Sequence, residues 1–210
     1  MKRTLVRHVR GATFAAVLFL GAACVRAEDR NQWQQPDRVL DDLALQPGAR
    51  VADVGCGDGY FALHLARAVG PSGLVYAVDI DADALEKLRT RAAQAHLTNV
   101  AIVASAPTDT RLPPDAADAV FICNVLHEAS PEVRAPLVRS AALAARPGGY
   151  LYLIDWRKTR EVPFDPYEKL IPRDDLIGLC TNANLRLDAD FHYLKYQVFL
   201  RFRKDAPPRP

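Results

Sequence analysis

The chain has 210 residues, with 27 Lys and Arg against 25 Asp and Glu, for a formal charge of +2 at neutral pH. That length suits one well-buried domain and is short for two. The near balance of charge lacks the basic footprint of a nucleic-acid binder, and the wide spacing of the cysteines argues against a disulfide framework and a zinc site while leaving a single pairing open in an oxidising compartment.

Lys2, Arg3, Arg7 and Arg10 precede an apolar run from Ala12 to Val25, and Val25-Arg26-Ala27 offers a small-residue cleavage site. A basic stretch followed by an apolar one is the pattern of an export signal, and this run is shorter than the ~20 residues a spanning helix needs. Residues 1–27 are therefore expected to be a signal peptide, cleaved or kept as an N-terminal anchor, with the protein periplasmic or otherwise exported. Gly21-Ala22-Ala23-Cys24 admits a lipid at Cys24 as second choice, because Leu20 stands one place too far from the cysteine. Cleavage deletes five basic side chains and no acid, so the formal charge falls from +2 to −3. The mature chain is not basic, and no membrane contact is expected beyond that anchor or lipid. Cys56, Cys123 and Cys180 then remain, read as small buried apolar residues.

Residues 28–48 read as an entry helix segment. Trp33 and Pro36 lead into Val39, Leu40, Leu43 and Leu45 at helical spacing, and Pro47-Gly48 stops the helix. Trp33 packs on the core or, with Gln34, helps to cover a ligand.

The stretch Val51 to Ala62, VADVGCGDGYFA, is the centre of the chain. An apolar run reaches Asp53, turns through Gly55, Gly57 and Gly59, and passes into a helix with Phe61, Leu65, Ala66 and Val69 on one face. Glycine permits a positive φ and lets a ligand approach bare backbone, while the new helix is expected to aim free N–H groups into the same space. A dinucleotide fingerprint reads G-x-G-x-x-G, whereas here the spacing is D-x-G-x-G-x-G with acids at Asp53 and Asp58. Two carboxylates repel a pyrophosphate and suit an ammonium or sulfonium group.

This stretch resembles motif I of class I S-adenosylmethionine-dependent methyltransferases, of the type 11/25-like domain. The resemblance implies S-adenosyl-L-methionine as cofactor and transfer of its methyl group to an acceptor, here expected to be a small molecule. It also implies cofactor contacts from Asp53, Gly55, Cys56, Gly57 and Gly59, with Asp53 orienting the glycine loop and the cofactor's ammonium.

A second strand, Leu74 to Val78, runs into Asp79-Ile80-Asp81, and a helix with Leu85, Leu88 and Ala92 follows. An acid at that strand end can accept from two ribose hydroxyls, so Asp79 is the expected ribose ligand, Ile80 lies beside it, and Asp81 is the helix N-cap. Val100 to Ala104 is a third strand. Relatives usually carry an acid just after it for the adenine amino group, whereas this chain has Ser105-Ala106-Pro107, leaving Ser105, a backbone group or Asp109 for that contact.

A fourth strand ends at Cys123 and delivers Asn124-Val125-Leu126-His127-Glu128. In the resembling enzymes residues after this strand face the transferred methyl, which makes Asn124 and His127 the candidate catalytic side chains and Asn124 also a cofactor contact. His127 titrates near neutrality in the unperturbed state and could serve as general base; alternatively it satisfies a backbone carbonyl. Leu126 should point inward and Glu128 should open the next helix. No metal site is expected, since no histidine stands at ligand spacing with another ligand.

Pro131 to Ala145 is a helix stopped by the R-P-G-G turn, Arg146 to Gly149, before a fifth strand from Tyr150 to Asp155. Asp155 and Trp156 are second-rank pocket candidates. Arg157 to Tyr167 reads as a loop over the site, a helix runs to Ala183, and two strands, Arg186 to Phe191 and Tyr196 to Arg203, close the sheet. The expected fold is α/β, a seven-stranded doubly wound Rossmann-like methyltransferase sheet, mostly parallel with an antiparallel last strand. It occupies residues 49–204, with 205–210 a disordered tail. The rival reading is a catalytically silent binding protein of the same fold, motivated by Ser105 and the export signal.

Overall fold

β1 (Arg50–Val54) is buried at four of its five residues, as a central strand covered on both faces must be. The computed structural model describes residues 30–159 and 167–206. Ala27, Cys24, the middle of the 157–167 loop and most of the 205–210 tail lie outside them. After α1 (Pro36–Leu43) and β1, the chain alternates through α2 (Tyr60–Val69), β2 (Leu74–Asp79), α3 (Ala82–Gln94), β3 (Val100–Ala104) and β4 (Ala117–Cys123). It continues through α4 (Pro131–Ala144), β5 (Ala145–Trp156), α5 (Arg173–Thr181), β6 (Leu185–Phe191) and β7 (Gln197–Lys204).

The seven strands lie in the order β3-β2-β1-β4-β5-β7-β6, and β7 is antiparallel to both its neighbours. The expected fold is thus found, with β7 inserted between β5 and β6. Two apolar layers sandwich the sheet. α1, α2 and α3 supply Val39, Leu43, Phe61, Leu65, Leu85 and Leu88 to one layer, and α4 and α5 supply Leu137, Val138, Leu176 and Cys180 to the other. The chain leaves β1 toward β2 and β3, then returns to place β4 on the other flank of β1. That reversal opens a crevice at the carboxyl ends of β1 and β4, which is where such sheets bind ligands.

Two details depart from the sequence reading. Arg146 to Gly149 form no separate turn before the strand; they bulge out of β5, whose pairing with β4 jumps from Ala117–Ala145 to Ala119–Tyr150. Arg146 Nε donates to Asp118 Oδ1 at 2.6 Å across the bulge, and a Cβ on Gly149 would come within 2.7 Å of the Asp118 carbonyl. Glu128 does not open α4, which begins at Pro131; it sits in a turn whose amide donates to the Val125 carbonyl at 3.1 Å.

Long-range polar contacts pin the elements that frame the crevice. Tyr152 OH donates to the Leu43 carbonyl at 2.9 Å and fixes the end of α1 against β5. Asn99 Nδ2 donates to the Ala66 and Gly70 carbonyls at 2.8 and 2.9 Å, satisfying the last turn of α2. Asp81 caps α3 as expected, accepting from the Asp83 and Ala84 amides at 2.9 and 3.1 Å.

Candidate active site

The three loop glycines serve different ends. A Cβ on Gly55 would lie 2.2 Å from Val125 Cγ2, and one on Gly59 would lie 2.1 Å from Leu88 Cδ1, whereas a Cβ on Gly57 would meet nothing within 4 Å. Gly55 and Gly59 are therefore required by packing, and Gly57 alone presents bare backbone to open space. All three have positive φ.

The loop amides are not free, contrary to the sequence expectation. Gly55 and Cys56 donate to the Val78 carbonyl at 2.7 and 3.1 Å, Gly57 to Asp79 Oδ2 at 2.7 Å, and Gly59 to the Cys56 carbonyl at 3.0 Å. These four amides are consumed in holding the loop to β2 and to itself, so they form no nest for a pyrophosphate. Asp58 also turns away, pairing with Arg91 at 2.7 Å.

Asp79 accepts from Gly57 with one oxygen and from the Asp81 amide with the other, at 3.0 Å, so both oxygens are fixed at the crevice edge with acceptor capacity left over. It lines a cavity of about 400 Å³ together with Val54, Gly55, Ile80, Ser105 and Asn124. That volume falls in the range of small-molecule sites. Ile80 is 63 % exposed, an apolar surface at the mouth. Ser105 is held by its amide to the Asp79 carbonyl at 2.9 Å, while Asp109 spends Oδ1 on the Arg111 amide and the Ser140 hydroxyl.

Asp53 lies behind the loop, 2 % exposed, and its Oδ2 has no partner. Burial, reinforced by the Asp79 charge, pushes its carboxyl up to about 7, against the opposing pull of Arg30 and the Ala62 amide. Cys56 is buried, and desolvation with the Asp53 and Asp79 charges raises its thiol well above the ordinary value.

The ends of β4, β5 and β7 assemble a second group. His127 is 4 % exposed, and the partner of its Nδ1 is a carboxylate, with Asp155 Oδ1 at 2.6 Å. Asp155 is itself 1 % exposed and also accepts from the His127 and Trp156 amides at 3.2 and 2.8 Å. His127 Nε2 lies 3.5 Å from Glu128 Oε1, and Glu128 pairs through its other oxygen with Lys169 at 2.8 Å. Asn124, in a left-handed conformation, donates its amide to the Ile154 carbonyl at 2.8 Å and accepts from Gln197 Nε2 at 2.6 Å. Gln197 is fully buried and its Oε1 has no partner. Trp33 stacks at 5.0 Å on Trp156, in a small apolar cluster with Leu170 and Tyr196.

Gln197 escaped the sequence reading, and Asp155 stood only in second rank. A glutamine opening a strand whose Val198, Phe199, Leu200 and Phe202 are buried was the one local signal for Gln197. Nothing in the sequence joins Asp155 to His127, 28 positions apart. Among the described residues no group of three or more His, Cys, Asp or Glu is placed to hold a metal ion.

An open doubly wound sheet with β7 antiparallel, and a crevice of glycine backbone and carboxylates at its switch point, define the class I methyltransferase fold. Residues 51–149 match the model of a methyltransferase domain, and the solved structures of this fold include S-adenosylmethionine-dependent methyltransferases. This structure resembles a SAM-dependent methyltransferase from Aquifex aeolicus at 26 % identity and TM-score 0.77, covering 83 % of this chain and 92 % of that one. It also shares its fold with the cyclase SpnF, at 20 % identity and TM-score 0.67 over 81 % of each chain. A segment of 76 residues is 33 % identical to demethylmenaquinone methyltransferase of Staphylococcus aureus, covering 36 % of this chain and 30 % of that protein. The alignment spans less than a third of that curated relative.

The cofactor is S-adenosyl-L-methionine, and the site has features that suit it. An orphaned buried carboxylate oxygen at Asp53 suits a cation, the fixed carboxylate of Asp79 suits a diol, and open backbone at Gly57 suits close approach. These are the needs of a cationic nucleoside.

Proposed function

We propose that the protein methylates a small-molecule acceptor at an ionisable heteroatom, with His127 as the general base. When bound, the cofactor supplies an electrophilic methyl on a sulfonium. Asp79 would hold the ribose, the backbone at Gly55, Cys56, Gly57 and Gly59 would line its path, and Ile80 and Ser105 would flank the base. Asn124 would stand between cofactor and acceptor.

The observation that carries the reading is the buried His127–Asp155 pair at 2.6 Å. A carboxylate on Nδ1 fixes the ring, leaves Nε2 to accept a proton, and stabilises the imidazolium that results. Glu128, 3.5 Å from Nε2 and 53 % exposed at its side chain, would then pass that proton toward solvent. Methyl transfer itself needs a nucleophile held in line and desolvated, and the apolar cluster of Trp33, Trp156, Leu170 and Tyr196 beside the pair supplies dry surface. The similarity of one segment to demethylmenaquinone methyltransferase supports a small acceptor.

Labelled methyl transfer to a panel of small phenols, thiols and amines tests the proposal, with His127→Ala run in parallel. Turnover should vanish in the variant while S-adenosylhomocysteine still binds by calorimetry. Equal turnover in the two proteins would defeat the base assignment. Binding without transfer to any acceptor would favour the silent binding protein, a reading that Ser105 and the cyclase of shared fold keep alive. Export of the chain is supported by the basic and then apolar N-terminus. Mass measurement of secreted protein, expected to begin after Ala27, tests it against acylation at Cys24.

A further inference from the structure

Asn124 and Gln197 meet where β4 ends and β7 begins, and their side-chain amides are joined in one orientation. Gln197 is fully buried, and its Nε2 donates to Asn124 Oδ1 at 2.6 Å. Its carbonyl accepts from Arg157 Nε at 2.9 Å, and it stands opposite Trp156 in the β5–β7 ladder, so the backbone behind the amide is fixed. Asn124 is fixed as well, by a left-handed backbone at φ 58° and by its amide on the Ile154 carbonyl at 2.8 Å. Turning both side chains over would bury two N–H donors of Gln197 without acceptors, in place of the one oxygen, Oε1, that now lacks a donor. Orphaned N–H groups are the rarer of the two in native interiors, which favours the orientation found.

With Oδ1 turned to Gln197, the other branch of the Asn124 amide, Nδ2, is left for the cavity of about 400 Å³ that Asn124 lines with Gly55 and Asp79. Among the described residues Nδ2 has no acceptor. A reacting atom beside it therefore meets a donor. An oxygen nucleophile has lone pairs for two tasks: one accepts from Nδ2 while another attacks the methyl carbon. A neutral amine has a single lone pair, so accepting from Nδ2 withdraws the electrons that must attack, and its N–H groups find no acceptor on Asn124. A donor at this place also favours the ionised form of a hydroxyl, which helps the proton leave.

We propose that the Asn124–Gln197 pair selects an oxygen acceptor, a phenol or an enol, over an amine, with Gln197 as the positioning residue that keeps Asn124 a donor. The inference rests on the acceptor reading above and narrows its ionisable heteroatom to oxygen. The hydroxyl proton passes to His127 Nε2, an oxygen lone pair forms the bond to the methyl carbon, and the carbon–sulfur bond of the sulfonium breaks to leave a neutral thioether. The positive charge ends on the imidazolium, beside Asp155 at 2.6 Å.

Rates of methyl transfer by the full chain, with S-adenosylmethionine and with phenols and anilines matched in carbon skeleton, test the selection. The native chain should favour the phenols. Gln197→Met should lower that preference roughly tenfold, since the Asn124 amide is then free to turn, while affinity for S-adenosylhomocysteine by calorimetry stays within about twofold. Comparing two proteins on the same acceptors cancels the intrinsic reactivities of oxygen and nitrogen. Asn124→Asp keeps one oxygen for Gln197 and puts a second where Nδ2 stood, so phenol transfer should fall roughly 100-fold and the preference should swing toward the anilines. A native chain that favours anilines, or a phenol-to-aniline ratio equal in the native chain and Gln197→Met, overturns the selection and leaves methyl transfer standing. A native chain that binds S-adenosylhomocysteine and methylates neither series overturns both. Gln197→Met also removes the buried oxygen that lacks a donor, so it should melt within a few degrees of the native chain. If it does not fold, Asn124→Asp alone decides, and a ratio unchanged in that variant overturns the selection.

Discussion

The two halves of the crevice are built on different plans. The half at β1 and β2 is a local construction: Asp53, the three glycines and Asp79 lie within 27 consecutive residues, and the Gly55, Cys56, Gly57 and Gly59 amides are used up by neighbours in β2 or in the loop itself. The half at β4, β5 and β7 is a long-range one, in which His127 meets Asp155 and Asn124 meets Gln197 across 28 and 73 positions. The first half is fixed by backbone contacts within the loop and to β2. The second is joined through side chains, and under the proposed function it is where an acceptor would be chosen.

If that division is right, damage to each half should be separable. The largest effect is expected from His127→Ala, a loss in turnover of roughly 100- to 10,000-fold with cofactor affinity unchanged, read by steady-state kinetics beside calorimetry. A parallel loss of cofactor affinity would merge the two halves.

Next comes Gly55→Ala. The new Cβ would fall 2.2 Å from Val125 at φ 74°, so Val125 must move and the loop is strained, at a cost of about 1–3 kcal/mol in denaturant unfolding. Gly57→Ala meets no atom within 4 Å and should cost about 1 kcal/mol or less in stability, yet weaken S-adenosylhomocysteine, because its open backbone faces ligand space. Equal stability losses for the two variants would contradict the different duties assigned to these glycines.

Asp53 sharpens the comparison through pH. Its folded carboxyl stands at about 7 against an ordinary 3.8, so the native chain has its full stability contribution below about 4 and loses it as pH rises toward 7. Asp53→Asn removes that dependence. The variant should gain on the native chain between about pH 4 and 7, measured by urea unfolding at several pH values, and the gap should level off above that window. A gap that shrank with rising pH would mean that Asp53 is ionised and stabilising in the folded state.

The smallest effect is expected at Asp81, outside both halves. Asp81→Ala loses two amide contacts at the start of α3 and should cost about 1 kcal/mol without touching turnover.

Much of the cofactor half was legible before any coordinates, for a physical reason. A strand, a glycine turn and a helix are specified by neighbours in sequence, through burial of Val51 and Val54, positive φ at the glycines, and the 3.6-residue apolar stripe of α2. The same locality exposed Asp79 at a strand end and Asp81 as a cap. The parallel sheet, though not the order of its strands, followed from alternation of strand and helix and from the rule that crossovers pack helices on both faces.

Other features depended on contacts that sequence spacing does not encode. The bulge at Arg146 to Gly149 arises because Asp118 draws Arg146 across to β4, which looks in the sequence like an ordinary turn. The Asp53 carboxyl owes its raised value to burial, reinforced by the Asp79 charge at the end of β2, so no reading of D-x-G-x-G-x-G alone could have found it. His127 was read as a base or a carbonyl-bound ring because its partner sits on another strand. Only the pairing of β4 with β5 brings Asp155 to it, and only the antiparallel insertion of β7 brings Gln197 to Asn124. Short-range sterics and hydrophobic periodicity therefore determined that this protein has the sheet and a cofactor turn. Register between distant strands, set by burial of the whole core, decided which polar side chains meet where an acceptor would react.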